Sequence, residues 1–234
     1  MHIELTEMLR CPEPHREDAM VLSTGEMVGR MVRSGLIGCS VCRKEYLITN
    51  GIVDFTGNVQ QDTRNAPPSP ASPVPSPADL QALLELSGPG GFVALLGEAA
   101  RHAVGLAGLK AGIHFIGINA QPDVEELPVL SLLRGRSGIP LRQSIARAVV
   151  VGADLATSAW LVEAHRILLR GRRFVIRRLN PLLDFPPDRM PMIFSAYAPQ
   201  KVAQGKAAES LNLRRAQEDM MEVVRAALVE PHLV

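Results

Sequence analysis

Apolar and polar positions in the C-terminal two thirds of the chain predict strands that alternate with helices. Segments 92–106 and 158–171 carry apolar residues at the spacing of an amphipathic helix. Short apolar runs typical of buried strands occur in three places, "IHFIGIN" (113–119), "ARAVVVGADL" (146–155) and "RRFVIRRL" (172–179). This alternation predicts a parallel, doubly wound α/β sheet.

A proline-rich segment divides the chain. Residues 66–78 read "APPSPASPVPSPA", and prolines fix φ and lack an amide donor, which favours an extended polyproline II path. At about 3.1 Å per residue such a semi-rigid spacer spans on the order of 40 Å. We therefore expect an N-terminal domain over 1–57, a linker over 58–78 and an α/β domain over 79–234 that ends in an amphipathic helix.

The composition adds a cellular setting to this division. Hydrophobic residues make up 47% of the 234 residues, enough for a core, and the formal net charge of +1 does not by itself predict a nucleic-acid or membrane partner. Three cysteines are too few for a disulfide framework, and the first residues lack the apolar core of a signal peptide. No apolar run approaches the roughly 18 residues of a membrane span. We expect a cytoplasmic protein without membrane insertion.

The three cysteines and one histidine of the N-terminal segment have the spacing of a metal site. Cys11 and His15 form a C-x3-H pair, and Cys39 and Cys42 form a C-x2-C pair, with a loop of 23 residues between the two pairs. Four sulfur or nitrogen ligands suit tetrahedral zinc, and a closed set of four protein ligands makes the zinc structural. The alternatives are that His2 supplies the fourth ligand, or that Cys39 and Cys42 are a redox pair or buried apolar side chains.

A glycine-rich turn is a candidate ligand-binding element in the C-terminal region. The turn "ELSGPGGF" (85–92) follows an apolar run that we interpret as the first strand, and its glycines would let a ligand approach the backbone closely. A helix start without a ligand explains the turn equally well. Asp154 lies near the end of the segment 146–155, just after its apolar run, where it could orient a nucleophile or cap a helix.

The N-terminal motifs carry a resemblance to a known family. "LRCPEPH" followed by "IGCSVCRKEYLITNGIVDF" resembles the small zinc-ribbon proteins that activate methyltransferases acting on tRNA, rRNA and a translation release factor. The match covers residues 5–57, with Tyr46, Gly51 and Ile52 at the family's positions. Two departures are His15, which replaces the second cysteine with one extra residue between, and Asn50, where the family usually has aspartate.

The C-terminal region resembles an S-adenosylmethionine-dependent methyltransferase over about residues 80–180. The resemblance implies a Rossmann-like fold and cofactor contacts from the glycine turn and the end of the second strand, namely from Glu85, Ser87, Gly88, Gly90, Gly91 and Asn119. Ser87 replaces the first glycine of the family's motif, and Asn119 replaces an acidic residue that accepts bonds from the cofactor's ribose. The segment between Asn119 and Ile139 is short, so this half of the sheet is expected to be trimmed.

Arginines are concentrated near the C-terminal end of this region. Ten lie in one 45-residue span that contains only two acidic residues, and they are Arg134, Arg136, Arg142, Arg147, Arg166, Arg170, Arg172, Arg173, Arg177 and Arg178. Such a cluster could bind RNA phosphates or an acidic protein surface, or form a solvated basic face. We expect a catalytically degenerate methyltransferase-fold protein, a scaffold or accessory subunit of a larger complex with its zinc ribbon fused in cis. The alternative is an active methyltransferase of RNA or a small molecule.

Overall fold

The fold is taken from a computed structural model that describes residues 1–57 and 76–176. The described strands of the N-terminal segment are β1 Met20–Thr24, β2 Met27–Val28, β3 Met31–Val32, β4 Gly35–Cys39, β5 Glu45–Thr49 and β6 Ile52–Asp54. Those of the C-terminal segment are β7 Phe92–Leu96, β8 His114–Ile118, β9 Leu130–Arg134, β10 Ala146–Val151 and β11 Leu168–Ile176. The α-helices are α1 Pro77–Leu83, α2 Ala103–Leu109 and α3 Ser158–Ile167, and short 3₁₀ helices cover Ile3–Met8, Gly97–His102 and Ala153–Leu155.

The five C-terminal strands form the parallel part of a mixed α/β sheet. Their spatial order is β9-β8-β7-β10-β11, and each neighbouring pair is parallel. The central strands β7, β8 and β10 are almost continuously apolar and buried, as expected for strands covered on both faces. The strand order reverses between β7 and β10, and in open parallel sheets such a reversal leaves a crevice at the carboxyl ends of the strands.

The N-terminal segment extends the same sheet. Strands β1, β4, β5 and β6 are antiparallel neighbours, and β6 then pairs in parallel with β9, so that nine strands form one sheet. Most of the predicted linker, 58–75, lies outside the described residues. Pro77 and Ala78, which the prediction placed in the linker, begin α1, and the Ser76 side chain accepts a bond from the Asp79 amide as its N-cap.

Backbone bonds and a shared core join the N-terminal segment to the loop after β9. Leu9 and Leu141 form an isolated β-bridge, and the Arg142 amide donates to the Met8 carbonyl oxygen at 2.8 Å. Leu9, Leu141 and Val53 are fully buried and belong to one hydrophobic cluster that also contains residues of β7, β8 and β10. The N-terminal segment therefore packs against the rest of its own chain.

Two predicted elements are wrong at the start of the C-terminal region. The apolar run expected to be the first strand is α1, in which Leu80 is buried, as is the C-cap residue Leu84 four positions later. Segment 92–106, expected to be a helix, begins instead with β7, because Phe92–Leu96 inserts between β8 and β10 and buries side chains on both faces. Helical spacing cannot distinguish such a continuously apolar strand from a buried helix.

The region between Asn119 and Ile139 is less reduced than expected. It contains β9, the third parallel strand, whereas the connection 119–129 contains no helix. Strand β6 lies on the outer side of β9. Predicted features beyond residue 176, which are the end of the last strand, Arg177, Arg178 and the terminal helix, lie outside the described residues. Within the described ranges no helix is long and apolar enough to span a membrane.

Candidate metal centre and the carboxyl edge of the sheet

The four predicted metal ligands come together at the tip of the N-terminal segment. The side-chain ligand atoms of Cys11, His15, Cys39 and Cys42 all lie within 4.8 Å of one another. The Cys11 and Cys42 sulfurs are 3.6 Å apart, and His15 Nε2 is 3.4 Å from the Cys39 sulfur. Tetrahedral zinc with bonds of about 2.3 Å to sulfur and 2.0–2.1 Å to nitrogen requires ligand separations of about 3.8 and 3.6 Å. The group is therefore close enough to hold a metal ion, and the two separations given are within about 0.2 Å of those that zinc requires.

A tight turn between β4 and β5 presents two of these ligands. Cys39 ends β4, its amide donates to the Lys44 carbonyl oxygen at 2.9 Å, and the Arg43 amide returns a bond to the Cys39 carbonyl oxygen at 3.0 Å. Arg43 has a φ of 59°, in the left-handed region that closes the turn. Cys42 thus lies on the same side of the turn as Cys39, which explains the two-residue spacing of the pair.

Outer contacts orient two of the ligands. His15 Nδ1 donates to the Arg16 carbonyl oxygen at 2.7 Å, which leaves the Nε2 lone pair directed at the other ligands. The Tyr46 hydroxyl lies 3.3 Å from the Cys11 sulfur in a buried position, where it can donate to a thiolate. Burial raises the pKa of Tyr46 strongly, so its hydroxyl keeps the proton that it donates. Sequence reasoning noted Tyr46 only as a family match and missed this contact.

The thiols differ in their tendency to ionise. Burial raises the pKa of the Cys11 thiol to about 11, against the bond from Tyr46. Burial also opposes ionisation of Cys39, but the amides of Cys42 and Val41 donate to its sulfur, and the net effect lowers its pKa to about 7. A bound cation would supply the positive charge that a buried Cys11 thiolate lacks.

His2, the alternative ligand, lies elsewhere. Its amide donates to Ser131 Oγ at 2.9 Å, and its ring lies 5.1 Å from the ring of His114, centroid to centroid. Ser131, fully buried on β9, also bonds His114 Nε2 at 2.9 Å. His2 therefore packs against the amino ends of β8 and β9 and is not part of the cysteine group.

Glu98 and Asp154 connect the loops that follow β7 and β10. The Glu98 amide donates to both Asp154 carboxylate oxygens at 3.1 Å, and the Ala153 amide donates to Glu98 Oε1 at 3.1 Å. Gln121, after β8, donates to Asp154 Oδ2 at 2.8 Å. Loss of solvent around its carboxyl raises the pKa of Asp154, and the nearby Glu98 charge adds to the effect. Asp154 thus caps the 3₁₀ helix Gly97–His102 that follows β7, and it does not cap α3, the next α-helix in the chain.

The Asp154 carboxylate also lies directly over Gly97. A Cβ atom at Gly97, which has a φ of +61°, would be 2.3 Å from Asp154 Oδ1. Gly97 is the first residue after β7, at the position where a doubly wound sheet brings the backbone close to a ligand. In this protein the Asp154 carboxylate lies close to the backbone at that position. Sequence reasoning missed Glu98 and Gly97 because it placed the first strand one element too early.

Asn119 lies at the carboxyl end of β8, as predicted, and its side chain is engaged by the backbone. Asn119 Nδ2 donates to the Gly135 carbonyl oxygen and the Gly135 amide donates to Asn119 Oδ1, both at 2.9 Å. This reciprocal pair joins the loops after β8 and β9, and it requires an amide because a carboxylate cannot donate. The φ of 50° at this residue also suits asparagine.

The predicted glycine turn lies at the opposite edge of the sheet from Asn119. Glu85, Ser87, Gly88, Gly90 and Gly91 precede β7 and follow α1, so they lie at the amino ends of the strands. Carbonyl oxygens of residues 87–90 accept bonds from the Arg147 guanidinium at 2.6–3.2 Å. The structure therefore does not bring the turn together with Asn119, and this turn directs carbonyl groups at a cation.

The arginine-rich span is divided among several places. Arg166 binds Glu163 and the carbonyl oxygens of Ile139 and Leu141, and Arg173 pairs with Glu85. Arg134 and Arg136 are exposed at and just after the end of β9, whereas Arg170 and Arg172 are exposed on β11. The eight arginines of this span that the structure describes thus form no single surface.

Comparison with known proteins assigns no family. Neither a scan of protein-family models nor a search of curated proteins gave a match to this chain.

Proposed function

We propose that this protein is a non-catalytic accessory protein in which a structural zinc ribbon is fused to a Rossmann-like sheet of the methyltransferase type. Closure of the crevice at the carboxyl edge by Asp154 carries the proposal. The carboxylate covers Gly97 and accepts the Glu98 amide, so the position that a cofactor would approach is filled by the protein itself.

Zinc suits the Cys11, His15, Cys39 and Cys42 group because of its donor set and its separations. Four protein ligands leave no position for water or substrate, so the metal would hold the turn between β4 and β5 against the loop that carries His15. The Tyr46 hydroxyl beside Cys11 and the Arg16 carbonyl oxygen that accepts from His15 Nδ1 support two ligands in the way outer-shell partners usually do. Its contribution would be to stability rather than to a reaction.

The strand order supports the methyltransferase-type assignment of the sheet. The parallel strands lie in the order third, second, first, fourth, fifth along the chain, which is the order of doubly wound dinucleotide-binding sheets. Asn119 occupies the position where the resemblance implies an acidic contact to the ribose, and its side-chain amide bonds the backbone of Gly135. Both features fit a sheet that keeps its architecture without its cofactor contacts.

An active methyltransferase is the second candidate. The observation that favours it is the convergence of polar side chains, Glu98, Gln121 and Asp154, on the crevice where such sheets bind ligands. In that case Asp154 would move away from Gly97 when the cofactor enters, and its raised pKa would suit it for proton transfer.

Calorimetric titration of S-adenosylmethionine into the zinc-loaded chain separates the two candidates. We expect no saturable binding at cofactor concentrations up to about 1 mM, a range that would reveal any free energy of binding stronger than about −4 kcal/mol. An Asp154→Ala variant, which removes the covering carboxylate, is titrated in parallel. Saturable binding by the native protein would overturn the accessory proposal and favour the enzyme.

A further inference from the structure

Strand β11 carries a bulge of arginines at one corner of the sheet. Ala146 on β10 pairs with Leu168, and Ala148 pairs with Arg173, so residues 169–172 of β11 lie opposite the single residue Arg147. We call residues 169–172, with the sequence Leu-Arg-Gly-Arg, the arginine bulge. Extra residues in one strand leave the ladder and redirect their side chains, and Arg170 and Arg172 are both exposed here.

Two further arginines adjoin the arginine bulge. Arg147 directs its guanidinium at the carbonyl oxygens of Ser87, Gly88, Pro89 and Gly90, which stabilise its charge without neutralising it. Arg173 pairs with Glu85, the one acidic partner recorded for these four arginines among the described residues. Four guanidinium groups and one carboxylate leave a local charge of about +3 on a protein whose formal net charge is +1.

We propose that the corner formed by the arginine bulge, Arg147 and Arg173 binds the phosphate backbone of RNA. Guanidinium groups match phosphate oxygens with paired N–H donors, and phosphate contacts of this kind supply the sequence-independent part of nucleic-acid affinity. Arg170 and Arg172 supply the direct contacts because they have no hydrogen bond or ion pair to any other described residue. Arg147 and Arg173, already held by the loop 85–90, contribute their field.

The surroundings favour RNA over an acidic protein surface. The exposed large apolar side chains of the described residues do not include any on β10 or β11, and the cores of protein interfaces need such side chains. Phe174, the aromatic residue of β11, is 1% exposed and cannot stack on a base. Binding would therefore depend on charge and on salt, with little base preference. This inference rests on the proposed accessory function in one respect, since it names RNA as the partner of the accessory protein.

The experiment measures fluorescence anisotropy of a labelled, mixed-sequence single-stranded RNA of about 20 nucleotides with the zinc-loaded chain, over salt from about 50 to about 200 mM. Two double variants remove the same charge from exposed positions. One is Arg170→Gln with Arg172→Gln in the arginine bulge, and the other is Arg134→Gln with Arg136→Gln at the carboxyl end of β9. Thermal melting confirms that both variants are folded.

We expect the variant of the arginine bulge to bind RNA about tenfold or more weakly at the lowest salt, and its salt slope to fall by about 1.4, as for two lost phosphate contacts on a single strand. The Arg134 and Arg136 variant should bind within about twofold of the native chain. Equal weakening of both variants, or no binding by the native chain, would overturn the proposal. Displacement of the RNA by a polyglutamate peptide at equal charge would assign the corner to an acidic protein instead. A negative result in the RNA-binding experiment does not change the outcome of the cofactor titration, so each experiment tests one proposal independently of the other.

Discussion

At the scale of single residues, the hydrogen-bond partner of each polar side chain decides its role. His15 is suited to a metal because its Nδ1 donates to the Arg16 carbonyl oxygen, whereas His2 is engaged with β8 and β9. Asn119 shows the same rule, since its Nδ2 and its Oδ1 both bond the backbone of Gly135. An aspartate at this position would lose the donated bond and place a carboxylate against the Gly135 carbonyl oxygen.

The two histidines give a matched test of the fourth ligand. We expect His15→Gln to lower zinc affinity at least about tenfold, because three protein ligands remain, and His2→Gln to leave one zinc per chain. Zinc content after dialysis and competition with a chromogenic chelator measure both. Full retention of zinc by His15→Gln would show that the histidine is not a ligand.

At the scale of elements, strand pairing and buried side chains join the N-terminal segment to the parallel strands. Strand β6 pairs with β9 over residues Ile52–Asp54, and the Leu9–Leu141 bridge continues the contact beyond the sheet. Both leucines are fully buried in the cluster shared by the two segments. This packing makes the N-terminal segment part of the same fold as the parallel strands.

Truncation of one seam residue tests that conclusion. Leu141→Ala should lower the free energy of unfolding by about 2–5 kcal/mol, because it leaves a cavity in a fully buried site. Leu47→Ala is the matched control, because Leu47 on β5 is 48% exposed. It should lower the free energy of unfolding by less than about 1 kcal/mol. Urea unfolding followed by circular dichroism measures both, and similar losses for the two variants would argue against a shared core.

At the scale of the whole molecule, charges at the same seam link stability to pH. His114 packs against His2 and Phe92 at the amino ends of the strands, with the amino group of Met1 nearby. Burial lowers the pKa of His114 to about 4, and the positive charges of His2 and the amino terminus add to the effect. Protonation of His114 is therefore unfavourable in the folded state.

The sign of the pH dependence follows from this depressed pKa. The ordinary pKa of histidine is 6.5, so between pH 6.5 and about 4, residue His114 binds more protons in the unfolded chain than in the folded chain. The stability that neutral His114 contributes is therefore complete above pH 6.5 and is lost as the pH falls. We expect His114 to contribute about 2 kcal/mol to this loss, after allowance for partial exposure. Urea unfolding of the native chain and of His114→Gln between pH 7 and 4 isolates this contribution (about 1.36 kcal/mol for each pKa unit). Parallel pH profiles would contradict it.

Local chemistry determined the parts of this protein that depend on residue type and short spacing. The C-x3-H and C-x2-C pairs identify the metal group because the ligands must be those residue types, and a tight turn sets their spacing. The strands around 113–119 and 146–151 were predictable because continuous apolar runs of that length suit a parallel sheet.

Tertiary structure alone decided where those parts meet. Whether Leu80 to Leu84 and Phe92 to Leu96 are helix or strand depends on the neighbours that bury them, which periodicity does not reveal. The pairing of β6 with β9, the carboxylate over Gly97 and the division of the arginines all join residues far apart in the chain. Such contacts form because sheet edges must pair and buried polar groups must find partners, and these requirements are met only in three dimensions.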